Sequence, residues 1–173
     1  MGGGTWDPVA GCVNMTTNTA TSIDPAISLR LARSDDLHRL ALIERDAFSD
    51  PWPESAFRDF LDKPHARFTV AVDADDNAIG YCVMLIMADE AEIANIAVTK
   101  ERRRSGVAAR LLDDAIAAAR QSLVAAMYLE VRTSNSPARA LYESREFRMV
   151  GRRRGYYQLP TEDALILRWT GGD

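Results

Sequence analysis

Residues 101–112, ERRRSGVAARLL, set three consecutive arginines against small residues and then an Ala/Leu run. Positive charge packed beside a glycine suits a basic patch for nucleic acid, part of a P-loop, or some other grip on phosphate. Arg103, Arg104, Ser105, Gly106, Val107 and Ala108 fall where a strand-like run gives way to a helix-like one. A helix N-terminus leaves backbone N–H groups unpaired and carries the positive end of the helix dipole, so it attracts anions. Small side chains at 105, 106 and 108 admit a phosphate to the backbone, and arginines add charge-assisted hydrogen bonds. A P-loop requires Gly-Lys followed by Ser or Thr, but Gly106 is followed by Val107. A dinucleotide fingerprint requires three spaced glycines and fails too. A phosphate grip and a merely solvated basic helix start both remain.

The bulk of the chain weakens the nucleic-acid reading. Its 173 residues suit one domain with a full hydrophobic core, and its formal net charge is -4. Arginine supplies nearly all the positive charge, the lysines being Lys63 and Lys100. Cys12 and Cys82 lie in unlike surroundings and predict no disulfide framework, which fits a reducing cytoplasm. With His38 and His65 as the histidines and no C-x-x-C pair, no metal site is expected. The apolar run IGYCVMLIMA (79–88) is too short to span a bilayer. VAGC (9–12) resembles a lipoprotein cleavage box, but MGGGTWDP offers neither a basic nor an apolar leader. Trp6 also breaks the myristoylation pattern. No membrane and no nucleic-acid partner is expected.

Residues 1–26, rich in Gly, Thr and Asn, read as a disordered tail within which Met15 is an alternative start. The domain is expected over 27–173. Alternation in ISLRLAR predicts a strand, and Ser34 is placed to cap a helix burying Leu37, Leu40, Ala41, Ala47 and Phe48. Prolines in SDPWP (49–53) stop that helix, and Phe57, Phe60 and Leu61 mark a second one. RFTVAV and IGYCVMLIM form a hairpin, EIANIAV (92–98) a strand, and the arginine-rich loop opens a helix to about 122. MYLEVR (127–132) is a strand, SPARALYESR (136–145) a helix, and FRMVGRR and ALILRW closing strands. The expected fold is α/β (α+β): a mixed, mostly antiparallel sheet with helices on both faces.

Read together, these segments match a known pattern. Arg103-x-x-Gly106-x-Ala108 between strand and helix resembles the phosphate-binding signature of the GCN5-related N-acetyltransferases. The resemblance implies that Arg103, Arg104, Ser105, Gly106, Val107 and Ala108 hold the pyrophosphate of acetyl-CoA. NIAV (95–98) is similar to the family strand whose backbone pairs with the pantetheine arm, which implies Ile96, Ala97 and Val98. LEVRTSNSPARALYES (129–144), with DPWPESAF and RRRGYY, resembles the RimI-type ribosomal-protein-alanine N-acetyltransferases and related protein N-terminal acetyltransferases. The resemblance covers about residues 27–170.

Acetyl transfer from a thioester to an amine needs a neutral amine and then a proton for the departing thiolate. A free α-amine has a pKa of about 7.7–8.0, so a nearby base helps, as does an acid at the sulfur. The resemblance makes Glu130 of L-E-V-R the base and Tyr142 of A-L-Y the acid, and gives Asn135 a contact with the cofactor. Taken alone, Glu130 also reads as a surface glutamate beside Arg132, and Tyr142 as a half-buried aromatic beside Leu141. Trp52 and Tyr156 match segments lining the peptide entrance, though such aromatics also serve as core. The family pattern breaks at Ala108, where a second glycine is usual, and at Glu146, where a glycine commonly ends the helix. The expected activity is acetylation of a protein N-terminal α-amine, on alanine of a ribosomal protein. A lysine or small-molecule amine is an alternative acceptor. A non-catalytic module that binds acyl-CoA or protein is the alternative of another class.

Overall fold

The computed structural model describes residues 26–171. The readings of the tail, Cys12, Met15 and the cleavage box lie outside the described residues. A short edge strand β1 (Ser28–Leu31) leads through a single 3-10 turn into α1 (Leu37–Ala47) and α2 (Glu54–Leu61). Three antiparallel strands follow: β2 (Ala66–Val72), β3 (Ala78–Met87) and β4 (Glu90–Val98). Then come α3 (Val107–Gln121), β5 (Ala126–Arg132), α4 (Ser136–Glu143) and the hairpin β6 (Arg148–Gln158) with β7 (Thr161–Thr170). The sheet order is β1-β2-β3-β4-β5-β7-β6, and only β4 and β5 run parallel among the described strands. The mixed sheet with helices on both faces is therefore the observed architecture.

Strand alternation divides the core into two layers. Cys82, Met84, Ile93, Leu129 and Val131 pack against α3 and α4 through Leu111, Leu112 and Tyr142. Val70, Tyr81, Val83 and Ala97 pack on the other face against Leu37, Leu40, Ile43 and Phe57 of α1 and α2. Gly80 permits a close approach, since a Cβ there would lie 2.9 Å from the Ala97 carbonyl oxygen and 3.3 Å from Val107. The start of α3 is thereby seated against β3 and β4.

Two local expectations change. Ser34 does not cap α1, and its hydroxyl makes no cap hydrogen bond. The Asp36 carboxylate accepts the Arg33 N–H at 2.7 Å instead and is held by the Arg30 guanidinium at 2.7 and 2.9 Å. Burial alone would raise the pKa of Asp36, but these donors outweigh it and hold the carboxyl below its usual range. Phe48 lies past the end of α1 and is 37% exposed, because the chain turns extended there ahead of Pro51. Beyond these two, the closing strands run on past FRMVGRR and start before ALILRW.

Glu146 confirms the broken glycine pattern. It sits in the left-handed region at φ 67, just past α4, and the next N–H, of Phe147, returns to the Tyr142 carbonyl at 3.1 Å. A non-glycine residue there is strained by about 1 kcal/mol, partly offset by the freedom glycine brings to the unfolded chain. Glu146→Gly is expected to raise the melting temperature by about 2 °C. Thermal unfolding checks it, and a fall would show that contacts of the Glu146 side chain outweigh the strain.

Candidate active site

Pairing between β4 and β5 runs from Glu90↔Ala126 to Ile93↔Leu129 and stops. Both strands continue, β4 to Val98 along β3 and β5 to Arg132 along β7. A bulge causes the parting: Met84 pairs with Ile93 and Val83 with Asn95, leaving Ala94 as the extra residue. The β4 edge over Asn95–Val98 therefore faces an opening instead of a strand. Ile96 is half-buried and Ala97 and Val98 are buried, so the unpaired peptide groups of this edge sit in a sheltered cleft.

The arginine-rich loop closes one end of the cleft. Gly106, at φ 84, starts α3, and no side chain caps that helix. The first N–H groups of α3 are therefore open to an anion. The Ser105 hydroxyl donates to the Arg102 carbonyl at 2.6 Å, which rigidifies the turn, and Arg103 Nε reaches the Val98 carbonyl at 3.4 Å. Arg104 is exposed at φ 60, and Ala108 lies half-buried in the first turn of α3. A Cβ on Gly106 would meet no protein atom within 4 Å, so the space before the loop is clear.

Glu130 is the first β5 residue beyond the last parallel pair. Leu129 and Val131 turn into the α3/α4 core, so Glu130 projects to the opposite face. Its carboxylate takes an ion pair from Arg153 Nε at 2.9 Å, with the glutamate side chain 19% exposed. Tyr156 comes beside it through a second bulge. Arg153 pairs with Ala164 and Tyr157 with Glu162, so Arg154, Gly155 and Tyr156 arch outward. Gly155, at φ 56, makes the arch possible, and its N–H is fixed by the Asp163 carboxylate at 2.8 Å. A hydrogen bond with Glu130 raises the pKa of the Tyr156 phenol above its ordinary value, with partial burial adding to it. Tyr157, more buried, is pushed up to about 12 by burial and then by the charge of Glu130.

Tyr142 lies on the α4 side and is 5% exposed. Burial, then the fields of Cys82 and Tyr157, raises its pKa, so it keeps its proton at neutral pH. Among the described residues its hydroxyl makes no hydrogen bond. Cys82 pairs with Ile96 across the sheet, which sets Tyr142 near the level of the open β4 edge. Glu130 and Tyr142 thus lie on opposite faces of the sheet. Asn135 caps α4 by accepting the Ala138 N–H at 3.2 Å. Trp52 is mostly a packing residue: its ring stacks on Phe60 at 5.0 Å and leans on Phe57 at 5.8 Å.

Glu44 went unremarked in the sequence, yet it is 1% exposed and accepts hydrogen bonds from Tyr81, Asn95 and the Trp52 amide. Burial raises its pKa against the opposing pull of those donors. A charge on the stripe of Leu37, Leu40 and Ile43 was the available signal. Among the described residues, no group of three or more His, Cys, Asp or Glu side chains could hold a metal.

A cleft between two parting parallel strands, with an uncapped helix start at one end and a carboxylate at its mouth, suits an extended phosphorylated ligand and an amine. The acetyltransferase (GNAT) family profile matches residues 37–147, and the chain belongs to that family. The N-alpha-acetyltransferase RimI of Mycobacterium tuberculosis is 36% identical over 144 residues, covering 80% of this chain and 89% of the relative. The [ribosomal protein bS18]-alanine N-acetyltransferase of Salmonella typhimurium is 34% identical, covering 81% and 95%. The crystal structure of the Escherichia coli ribosomal-protein-S18-alanine N-acetyltransferase superposes with a TM-score of 0.79 at 30% identity, over 85% of this chain and 95% of that one. Arabidopsis thaliana NAA60 in complex with acetyl-CoA shares the fold, with a TM-score of 0.76 at 23% identity, over 83% and 99%.

The clear space around Gly106 separates strain from collision. Gly106→Val should fold with a melting temperature lower by about 2–8 °C, since a left-handed β-branched residue costs about 1–2 kcal/mol. Calorimetry checks this, and complete loss of folding would mean that the loop is packed more tightly than its open surroundings indicate.

Proposed function

We propose that this chain transfers the acetyl group of acetyl-CoA to the α-amine of a protein N-terminus, with alanine at the end of a ribosomal protein as the substrate class. The observation that carries the reading is the cleft itself: a free strand edge, an uncapped α3 start and the Glu130 carboxylate along one opening. The names of the bacterial relatives support the acceptor, and the reaction belongs in the cytoplasm, where those substrates are.

The residues fit such a co-substrate. The peptide groups of Ile96, Ala97 and Val98 can pair with an extended pantetheine arm as an added strand would. The N–H groups at Gly106, Val107 and Ala108, with Arg103, Arg104 and Ser105, can hold the pyrophosphate, and Asn135 lies beyond the carboxyl end of β5 to contact the chain between. When bound, the thioester supplies an activated acetyl carbon. Glu130 accepts the proton that the α-ammonium must lose before its nitrogen bonds to that carbon. Tyr142, protonated and near the open edge, delivers a proton to the sulfur as the carbon–sulfur bond breaks. Tyr156, exposed beside Glu130, offers a hydroxyl to the peptide backbone, and Trp52 backs the opposite wall.

Glu130→Gln and Tyr142→Phe are each expected to lower kcat by about 100-fold or more while leaving acetyl-CoA affinity near that of the wild type. Raising the pH should partly restore Glu130→Gln. Above about pH 8 most of the α-amine is already neutral and the missing base matters less. Normal turnover in both variants would make them structural residues. Gly106→Val should weaken acetyl-CoA at least about tenfold by calorimetry, and an unchanged Kd would remove the loop from the site.

The deciding experiment offers acetyl-CoA with peptides starting with Ala, Ser or Gly, and the same peptides with a blocked N-terminus and a free lysine. An acetyl group on the free α-amine, located by mass spectrometry, is the expected result. Modification of lysine alone would overturn the acceptor and keep the transferase. Failure to release thiol with any amine would favour a non-catalytic acyl-CoA-binding module.

A further inference from the structure

Helix α1 carries a carboxylate for which the transfer reaction has no use. Glu44 Oε1 accepts the Trp52 N–H at 3.0 Å and Asn95 Nδ2 at 3.1 Å; Oε2 accepts Asn95 Nδ2 at 3.1 Å and the Tyr81 hydroxyl. An ionised carboxylate is acceptor-only, and each donor here presents an N–H or O–H to it. Burying such a charge is a poor way to gain stability, because well-packed apolar residues do as well or better. What the arrangement does provide is a fixed geometry among α1, the 48–53 segment, β3 and the β4 bulge.

Two of those attachment points flank the cleft. Asn95, paired with Val83, directly follows the Ala94 bulge just past Ile93↔Leu129, where β4 leaves β5. Trp52 lies between Pro51 and Pro53, neither of which has an N–H, so its amide is the single backbone donor in that stretch. The same segment crosses to the other strand, where the Ser49 hydroxyl meets Arg132 of β5 at 3.0 Å. Arg132 in turn lies over the Tyr157 ring at 4.1 Å. The segment therefore spans the mouth, anchored on the β4 side by Glu44 and on the β5 side by Arg132.

We propose that Glu44 is a positioning residue that sets the amine entrance, tying the Trp52 amide in its wall to Asn95, next to the bulge that opens the cleft. This rests on reading the cleft as the acyl-transfer site. Glu44→Gln keeps the size but turns one acceptor into a donor, which must then face an N–H or O–H. The KM for an Ala-starting peptide should rise at least about fivefold, with kcat changed less and acetyl-CoA Kd within about twofold. Hydrogen exchange across 48–53 should quicken while α3 stays as protected as before. Tyr81→Phe, which leaves the Trp52 and Asn95 bonds in place, should have a smaller effect on KM. In the wild type, the Trp52 amide should exchange more slowly than those of Ser49 and Asp50, a readout that needs neither a variant nor activity. A lower melting temperature in Glu44→Gln with peptide KM and loop exchange unchanged would overturn the proposal, as would an unprotected Trp52 amide. Absence of α-amine acetylation by the wild type would instead sink the assigned reaction, with the exchange data still reporting on the tether.

Discussion

Ile93 pairs with Leu129, and one residue later β4 and β5 no longer touch, although each keeps its antiparallel partner on the other side. Backbone N–H and C=O groups are rarely left unpaired in a sheltered place, because each unsatisfied group costs roughly 1–3 kcal/mol. The molecule meets that constraint by building the parting as a sheet feature: the Ala94 bulge turns β4 away while β3 continues to hold it. The α3 crossover then brings its own unpaired N–H groups to the same opening. Concentrating unpaired main-chain groups there suits a long, flexible and polar ligand.

The two faces of the sheet contribute different materials. On the α3/α4 face the cleft meets a continuous apolar layer, into which Tyr142 and Phe147 are fitted with rings 5.9 Å apart. On the other face α1 and α2 cover β2, β3 and β4, while Tyr128, Glu130 and Arg132 of β5 are only partly covered. The α3/α4 face thus sets a buried tyrosine behind the sheet, while the other face leaves the β5 side chains partly exposed and held by ion pairs. Arg153 is exposed enough to move, so its pairing with Glu130 balances the carboxylate without sealing it off. Rigid ties hold the layers together. Asp114 of α3 accepts from Arg67 and Thr69 of β2 at 3.0–3.1 Å, and Asp113 takes Arg145 beyond α4 at 3.0 Å.

Much of this was legible from residue order. Alternation gave the strands, Gly106 followed by an apolar run marked the start of α3, and the place of a missing glycine marked Glu146, whose φ is 67. What stayed hidden depends on pairing across distant segments. The Tyr156 arch arises because three β6 residues stand opposite Asp163, which no local pattern encodes. Glu44 went unremarked because its donors come from residues 52, 81 and 95. Ser34 misled for the opposite reason: its type favours a cap, but no side chain caps α1, and the Asp36 carboxylate, fixed by Arg30, takes the Arg33 N–H instead. Trp52 matches a segment that lines the peptide entrance, yet stacking against Phe60 draws its ring toward the core.

The absence of any capping side chain on α3 has a consequence for how freely this chain can vary. On the proposed reading, a surface made of main-chain N–H groups and a strand edge asks little of side-chain identity beyond the loop arginines, smallness near Gly106 and a tolerated left-handed angle. Drift in residue type there leaves the contacts standing. The opposite wall is made of particular side chains, Glu44, Arg132, Glu130 and Tyr156, each committed to a partner far away in sequence. One half of the cleft is thus insensitive to substitution and the other highly exposed to it. A lineage that keeps the donor and changes the acceptor needs to rewrite only the second half.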